Sequence, residues 1–209
     1  RAMTTETIQF DTPRSDAGAP AGLTADQRTE LIAQLDRDGY VVLPEKLPQT
    51  WISAALGAID RIAAAQRAAG TPTASVKIMN CVDQDPAFRQ LMMYEPALQL
   101  CYDVFGPMFH LCQSNFISRP RDQRSMDDFI SSSPWHADGP RPGLFPKVQG
   151  AMGLHYLKFG YFLTDLTHRT GGSLQVVRGS HQRRELDGLG SRFNIGDYEK
   201  DLVQFDCPA

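Results

Sequence analysis

A change of character at Gly106-Pro107 constrains the fold of this chain more than any other feature. Before it, apolar residues recur at helical spacing. After it they fall in short runs bounded by glycine and proline, as strands do. Leu31, Ile32 and Leu35 mark a first helix, opened by a Thr24/Gln27 capping box and stopped near Asp38-Gly39, where glycine suits a C-terminal cap. Tyr40-Val41-Val42-Leu43 reads as a short strand closed by Pro44. A second, alanine-rich helix spans about 51–69, with Ile52, Leu56, Ile59 and Ile62 as its apolar stripe and Gly70 as its end. Residues 88–93 and 96–105 read as shorter helices, with Pro96 at a first helical position, where its missing N–H costs nothing. Strand-like stretches follow at 109–119, 157–163, 173–177 and 202–205, separated by loops at 120–134, 139–150 and 183–199. No helices cross between these strands. The expected class is therefore α+β, with N-terminal helices packed against an antiparallel jelly-roll sheet, rather than parallel α/β. Residues 1–22, rich in Thr, Pro, Gly and Ala, read as a loosely ordered, flexible arm before a single domain over 23–209.

Charge and cysteine usage narrow the partners. A net charge of -3 and a pI of about 5.9 supply no basic surface for nucleic acid or an anionic membrane. No apolar run approaches the roughly 20 residues needed to span a bilayer. The start, Arg1-Ala2-Met3, leads into polar sequence without a secretory h-region. Cys81, Cys101, Cys112 and Cys207 show no CxxC spacing and read as free thiols in a reducing compartment, so the expected location is cytoplasmic.

Trp135-His136-Ala137-Asp138 is the segment with chemistry in it. On a strand, residues i and i+2 point to one face, so His136 and Asp138 can reach the same metal ion. An imidazole and a carboxylate are two-thirds of the 2-His-1-carboxylate facial triad, which leaves ferrous iron three positions for a chelating cosubstrate and O2. With five histidines and 24 acidic residues, about 0.6 such pairs arise by chance, so the motif alone also fits a surface pair beside the Gly139-Pro140 turn. On the preceding strand, Gln113, Asn115 and Ile117 share a face at period two. Amides at such positions fit the polar wall of a pocket better than a dry core.

Context adds specificity. Leu23-Thr24-Ala25-Asp26-Gln27 is followed by Asp38-Gly39-Tyr40-Val41-Val42-Leu43-Pro44. Further on come Gly160-Tyr161-Phe162-Leu163-Thr164-Asp165-Leu166-Thr167, Gly171-Gly172-Ser173-Leu174 and Gly179-Ser180-His181. Together, in this order over 23–181, these segments resemble the signatures of the phytanoyl-CoA dioxygenase family, with Arg178 where that family usually has proline. The resemblance implies a double-stranded β-helix (cupin-like jelly roll) that binds Fe(II), uses 2-oxoglutarate and O2, and hydroxylates a small organic molecule with release of succinate and CO2. It makes His136 and Asp138 iron ligands, and Lys77, Asn115 and Tyr161 cosubstrate contacts. Gln113 and Trp135 would be substrate contacts. Lys77 on an edge strand and Tyr161 in a core would look the same without these roles.

The resemblance treats His181 as a structural element at a strand end rather than a ligand. It places the second iron histidine, and an arginine gripping 2-oxoglutarate, beyond Ala209, past a turn that relatives enter near Gln204-Phe205-Asp206-Cys207. The expectation is thus a longer polypeptide. His110 and His155 read as core or wall residues and His168 as exposed. Arg119, Arg121 and Arg124 form a solvated loop able to steer carboxylates. Asp138 stands where related halogenases carry a small residue, which favours hydroxylation. Loop 139–150 is expected to act as a lid. Two rival readings remain: a cupin-like isomerase or hydrolase without 2-oxoglutarate, and a non-catalytic family member acting as a binding protein.

Overall fold

The computed structural model describes residues 6–9, 20–71, 75–118, 135, 147–148, 151–152, 157–166, 174–183, 198 and 200–207. In chain order these contain β1 (Glu6–Gln9), α1 (Ala25–Asp38), α2 (Gln49–Ala68), β2 (Val76–Met79), α3 (Cys81–Gln84), α4 (Pro86–Met92), α5 (Glu95–Phe105), β3 (Asn115–Ser118), β4 (Lys147–Val148), β5 (Ala151–Met152), β6 (Gln175–Val177), a 3-10 turn (Ser180–Gln182) and β7 (Leu202–Asp206). Two compact units result. One comprises Arg1–Phe10, Ala33–Val41 and Asp122–Ala209; the other comprises Asp11–Ile32 and Val42–Arg121.

The second of these is mostly helical, and its helix ends follow local chemistry. At the start of α1, Gln27 Oε1 accepts from the Thr24 N–H at 2.8 Å and Thr24 Oγ1 accepts from the Gln27 N–H at 3.2 Å, the reciprocal capping box expected. Arg28 ties this turn to Asp103 of α5 at 2.9 Å. The buried residues of α2 are Ile52, Ala55, Ala58, Ile59 and Ala63, so two expected stripe positions, Leu56 and Ile62, are only half-buried. Alanines take the core side instead, because short side chains let α2 pack closely on α4. Asp85 caps α4, accepting from the Ala87 N–H at 2.9 Å, with Pro86 at the first helical position. In α5, Glu95 is first and Pro96 second, and Gly106 ends the helix at φ 68°.

β2 and β3 pair antiparallel in this unit. The sequence predicts one strand over 109–119, yet among its described residues only Asn115–Ser118 forms a strand. The partner sets the limit: β2 is four residues long and ends at Met79, and Asn80, with a φ of 49°, turns the chain into α3. Phe109 packs edge-on to Tyr102 instead, with centroids 5.1 Å apart.

The other unit is built on a three-stranded sheet, ordered β1-β7-β6. β7 is central, parallel to β1 and antiparallel to β6, and all five of its residues are buried. Residues 1–22, read as an arm, thus contribute a strand, and its parallel pairing departs from the all-antiparallel expectation. Gln204-Phe205-Asp206 lies in β7 rather than at the entry to a turn. β4 and β5 form a small hairpin, and Leu166 bridges Cys207. Residues 40–43 and 157–163 are irregular rather than extended. Tyr40 lacks a strand partner and packs edge-on to Phe205 of β7 at 5.1 Å. The class is mixed helix and sheet. Among the described residues the strands form three separate small sheets and do not close a double-stranded β-helix.

Candidate active site

Two of the expected cosubstrate contacts share one face. In the β2–β3 ribbon Lys77 lies opposite Ile117 and Met79 opposite Asn115, while Ile78 lies opposite Phe116. Directly opposed residues project to the same side of a sheet. One side therefore carries Lys77, Met79, Asn115 and Ile117, all exposed. The other carries Ile78, which is buried, and Phe116, whose ring stacks on Phe88 with centroids 6.5 Å apart. Gln113 lies just before β3 and is exposed, outside the ladder that would fix its face.

Trp135 and Tyr161 belong to the other unit, where both are half-buried. His136, Asp138, His155, His168, Arg119, Arg121, Arg124 and most of loop 139–150 lie outside the described residues. His110 is exposed in an irregular segment, not in the core or a wall. Among the described residues no three His, Cys, Asp or Glu side chains gather closely enough to hold a metal.

His181 has a clear occupation. Its Nε2 lies 2.9 Å from the Asp36 carbonyl near the C-terminus of α1. A carbonyl only accepts, so that nitrogen carries the ring proton. Gln182 also donates to the Asp36 carbonyl, and the Gly179 N–H donates to the Asp38 carbonyl at 2.8 Å. These donors satisfy carbonyls that a helix leaves open at its C-terminal end. Gly39 follows at φ 82°, and a Cβ there would collide with the His181 ring. The Asp38-Gly39-Tyr40 and Gly179-Ser180-His181 signatures are thus two halves of one contact. Beside it, Arg178 donates to Glu6 of β1 and reaches Tyr40 Oη at 3.4 Å. The hydrogen bond to Tyr40, then the Glu6 carboxylate, push the guanidinium pKa further up.

A polar row went unread in the sequence. Gln175 of β6 donates to Gln204 Oε1 at 3.1 Å, and Gln204 Nε2 to Asp206 Oδ1 at 3.2 Å. Gln204 and Asp206 are 4% and 3% exposed. The alternation of Gln204 and Asp206 with Val203 and Phe205 was the available signal. None of the four cysteines is in a disulfide, and burial pushes the Cys81 and Cys101 thiols up, which suits inert side chains rather than nucleophiles.

The sequence profile of the phytanoyl-CoA dioxygenase (PhyH) family matches residues 35–193, well over half the chain. The chain belongs to the phytanoyl-CoA dioxygenase family. No curated protein and no solved structure matches it. Phytanoyl-CoA dioxygenase family members share a cupin-like jelly-roll fold and are generally oxidoreductases, dioxygenases that use Fe(II) and 2-oxoglutarate. The family match runs through segments of both units and includes His136 and Asp138. No described helix is long and apolar enough to cross a membrane.

Proposed function

We propose that this chain belongs to a non-haem Fe(II)/2-oxoglutarate-dependent hydroxylase of a small organic molecule, with residues 23–209 lying within one oxygenase domain on a double-stranded β-helix. The family match across His136-Ala137-Asp138 supports this most directly. In the proposed reaction one oxygen atom of O2 enters a substrate C–H bond. The other enters succinate as 2-oxoglutarate loses CO2.

His136 and Asp138 would hold the iron, an imidazole and a carboxylate being donors suited to it. Iron, when bound, supplies the O2 chemistry. Lys77 would attract a carboxylate of 2-oxoglutarate and Asn115 would hydrogen-bond to it, a pairing supported by their common face. Tyr161 is assigned to the same cosubstrate, and Gln113 and Trp135 to the substrate. Holding both reactants in one orientation is the protein's main contribution to rate. A carboxylate at 138 favours hydroxylation over halogenation. The free cysteines support a reducing, cytoplasmic setting. Nucleic acid and membranes are not proposed partners.

Anaerobic addition of Fe(II) and 2-oxoglutarate tests the reading. A visible charge-transfer band is expected, because it forms only when the ketoacid chelates bound iron. Metal binding without the band would favour a cupin-like isomerase or hydrolase; binding of neither would favour a non-catalytic binding protein.

A further inference from the structure

Asp206 dictates which way the amides beside it point. Gln204 and Asp206 lie two apart on β7 and so share a face of the sheet, and Gln175 of β6 lies directly opposite Gln204. As a carboxylate, Asp206 only accepts, so Gln204 must turn its NH2 group towards it, at 3.2 Å. Gln204 Oε1 is thereby left facing Gln175, which must present its own NH2 group in turn, at 3.1 Å. The whole chain of donors and acceptors fixes each amide orientation. At its far end it leaves Gln175 Oε1, a buried oxygen with no hydrogen-bond partner among the described residues.

A buried acceptor left without a donor is costly, and native structures rarely keep one without a reason. Packing supplies no such reason here. Val177 and Leu202, opposite each other on the same face, are buried and apolar, and an apolar side chain at 175 would continue their surface without an orphaned oxygen. Both amide dipoles run one way, negative end away from Asp206, so the row presents negative potential at Gln175 Oε1. Gln175 is only half-buried, so a small molecule meets the row at this end. We propose that the row is a binding site for a cationic N–H donor, an ammonium group of a small molecule. Gln175 makes the contact, and Gln204 and Asp206 are positioning residues. A neutral hydroxyl makes the same hydrogen bond but gains less from the aligned dipoles and the carboxylate behind them. The site lies wholly within one compact unit and requires neither iron nor 2-oxoglutarate.

The test uses the full chain, without added metal, labelled with 15N at the glutamine side chains. Methylammonium, tetramethylammonium and methanol, titrated at constant ionic strength, serve as probes: a cation with N–H donors, a cation without them, and a neutral donor. Methylammonium should shift the Gln175 NH2 signals saturably, with a smaller shift at Gln204, and should bind more tightly than methanol. Tetramethylammonium should shift neither. Gln175→Met keeps an unbranched side chain and removes the acceptor. It should weaken methylammonium binding, read at Gln204, about tenfold, the size expected for one hydrogen bond to a charged donor. Asp206→Asn should abolish the preference for methylammonium over methanol, because an amide at 206 carries no charge and can face Gln204 with either end. Gln175→Met, at a half-buried position, decides the case if Asp206→Asn does not fold. No saturable shift, an equal response to tetramethylammonium, or unchanged affinity in Gln175→Met would overturn the site. An unchanged preference in folded Asp206→Asn would overturn its positioning role. Since no arm uses iron, a missing Fe(II)–2-oxoglutarate band sinks the hydroxylase reading alone.

Discussion

Asp85 joins two helices through one carboxylate. One oxygen accepts the Ala87 N–H that opens α4, and the other meets Arg61 of α2 at 2.7 Å. The backbone hydrogen bond first, and Arg61 second, hold this carboxyl below the usual range. A depressed folded pKa means that the unfolded chain binds the proton more tightly. The contribution is therefore present above the ordinary aspartate pKa of about 3.9 and is lost as pH falls through the lower folded value. Asp85→Asn should lower the melting temperature at neutral pH and flatten its fall in acid. Thermal melts from about pH 3 to 7 check this, and an acid limb identical to the unsubstituted protein would count against it. Gly39 makes a second single-residue case. Gly39→Ala places a Cβ at positive φ, at a cost of about 1–2 kcal/mol, and drives it into the His181 ring. In a double-mutant cycle with His181→Ala the two changes should be clearly non-additive, the double variant losing less than the sum. Additive losses in chemical denaturation would show that the ring is not what excludes a side chain there.

Between elements, the N-terminal strand poses the main question of stability. β1 is held by its parallel ladder to β7 and by the Arg178–Glu6 ion pair. Both partners of that pair are partly exposed, so solvent screens it, and its contribution should stay below about 1 kcal/mol. Arg178→Gln should therefore shift the denaturation midpoint only slightly, and the difference should vanish in high salt. Hydrogen exchange at Thr7, Ile8 and Gln9 is the sharper readout: it should rise in Arg178→Gln while the helical unit stays unchanged. A loss of several kcal/mol would mean that Arg178 does more than fasten one strand. The Arg178 N–H donates to the Asp201 carbonyl at 2.8 Å, a bond that a proline at this position could not make.

For the molecule as a whole, the iron-binding reading makes one demand. Asp138→Ala should abolish 2-oxoglutarate-dependent hydroxylation while the thermal melt stays close to that of the unsubstituted protein, since the variant loses a ligand carboxylate together with its charge. Oxygen uptake and a melting curve measured side by side decide it; full turnover in the variant would remove Asp138 from the ligand set.

Helix boundaries and family membership were legible in the sequence because both are written locally. Thr24 and Gln27 cap each other across three positions, Gly39 and Gly106 end helices through positive φ, and the family motifs are contiguous strings in a fixed order. The common face of Lys77 and Asn115 was half legible: period two gave the alternation in each strand, but not the register that pairs them. Long-range partners were not legible. Nothing in Glu6–Gln9 names β7, and nothing in Gly179-Ser180-His181 names the Asp36 carbonyl. Residues 40–43 have strand composition yet remain irregular, because a strand exists only where another backbone completes its ladder. Residues 202–206 found such partners on both sides and became the buried centre of a sheet. Local sequence sets what a segment prefers, and only the tertiary structure decides which backbone groups lie within hydrogen-bonding reach.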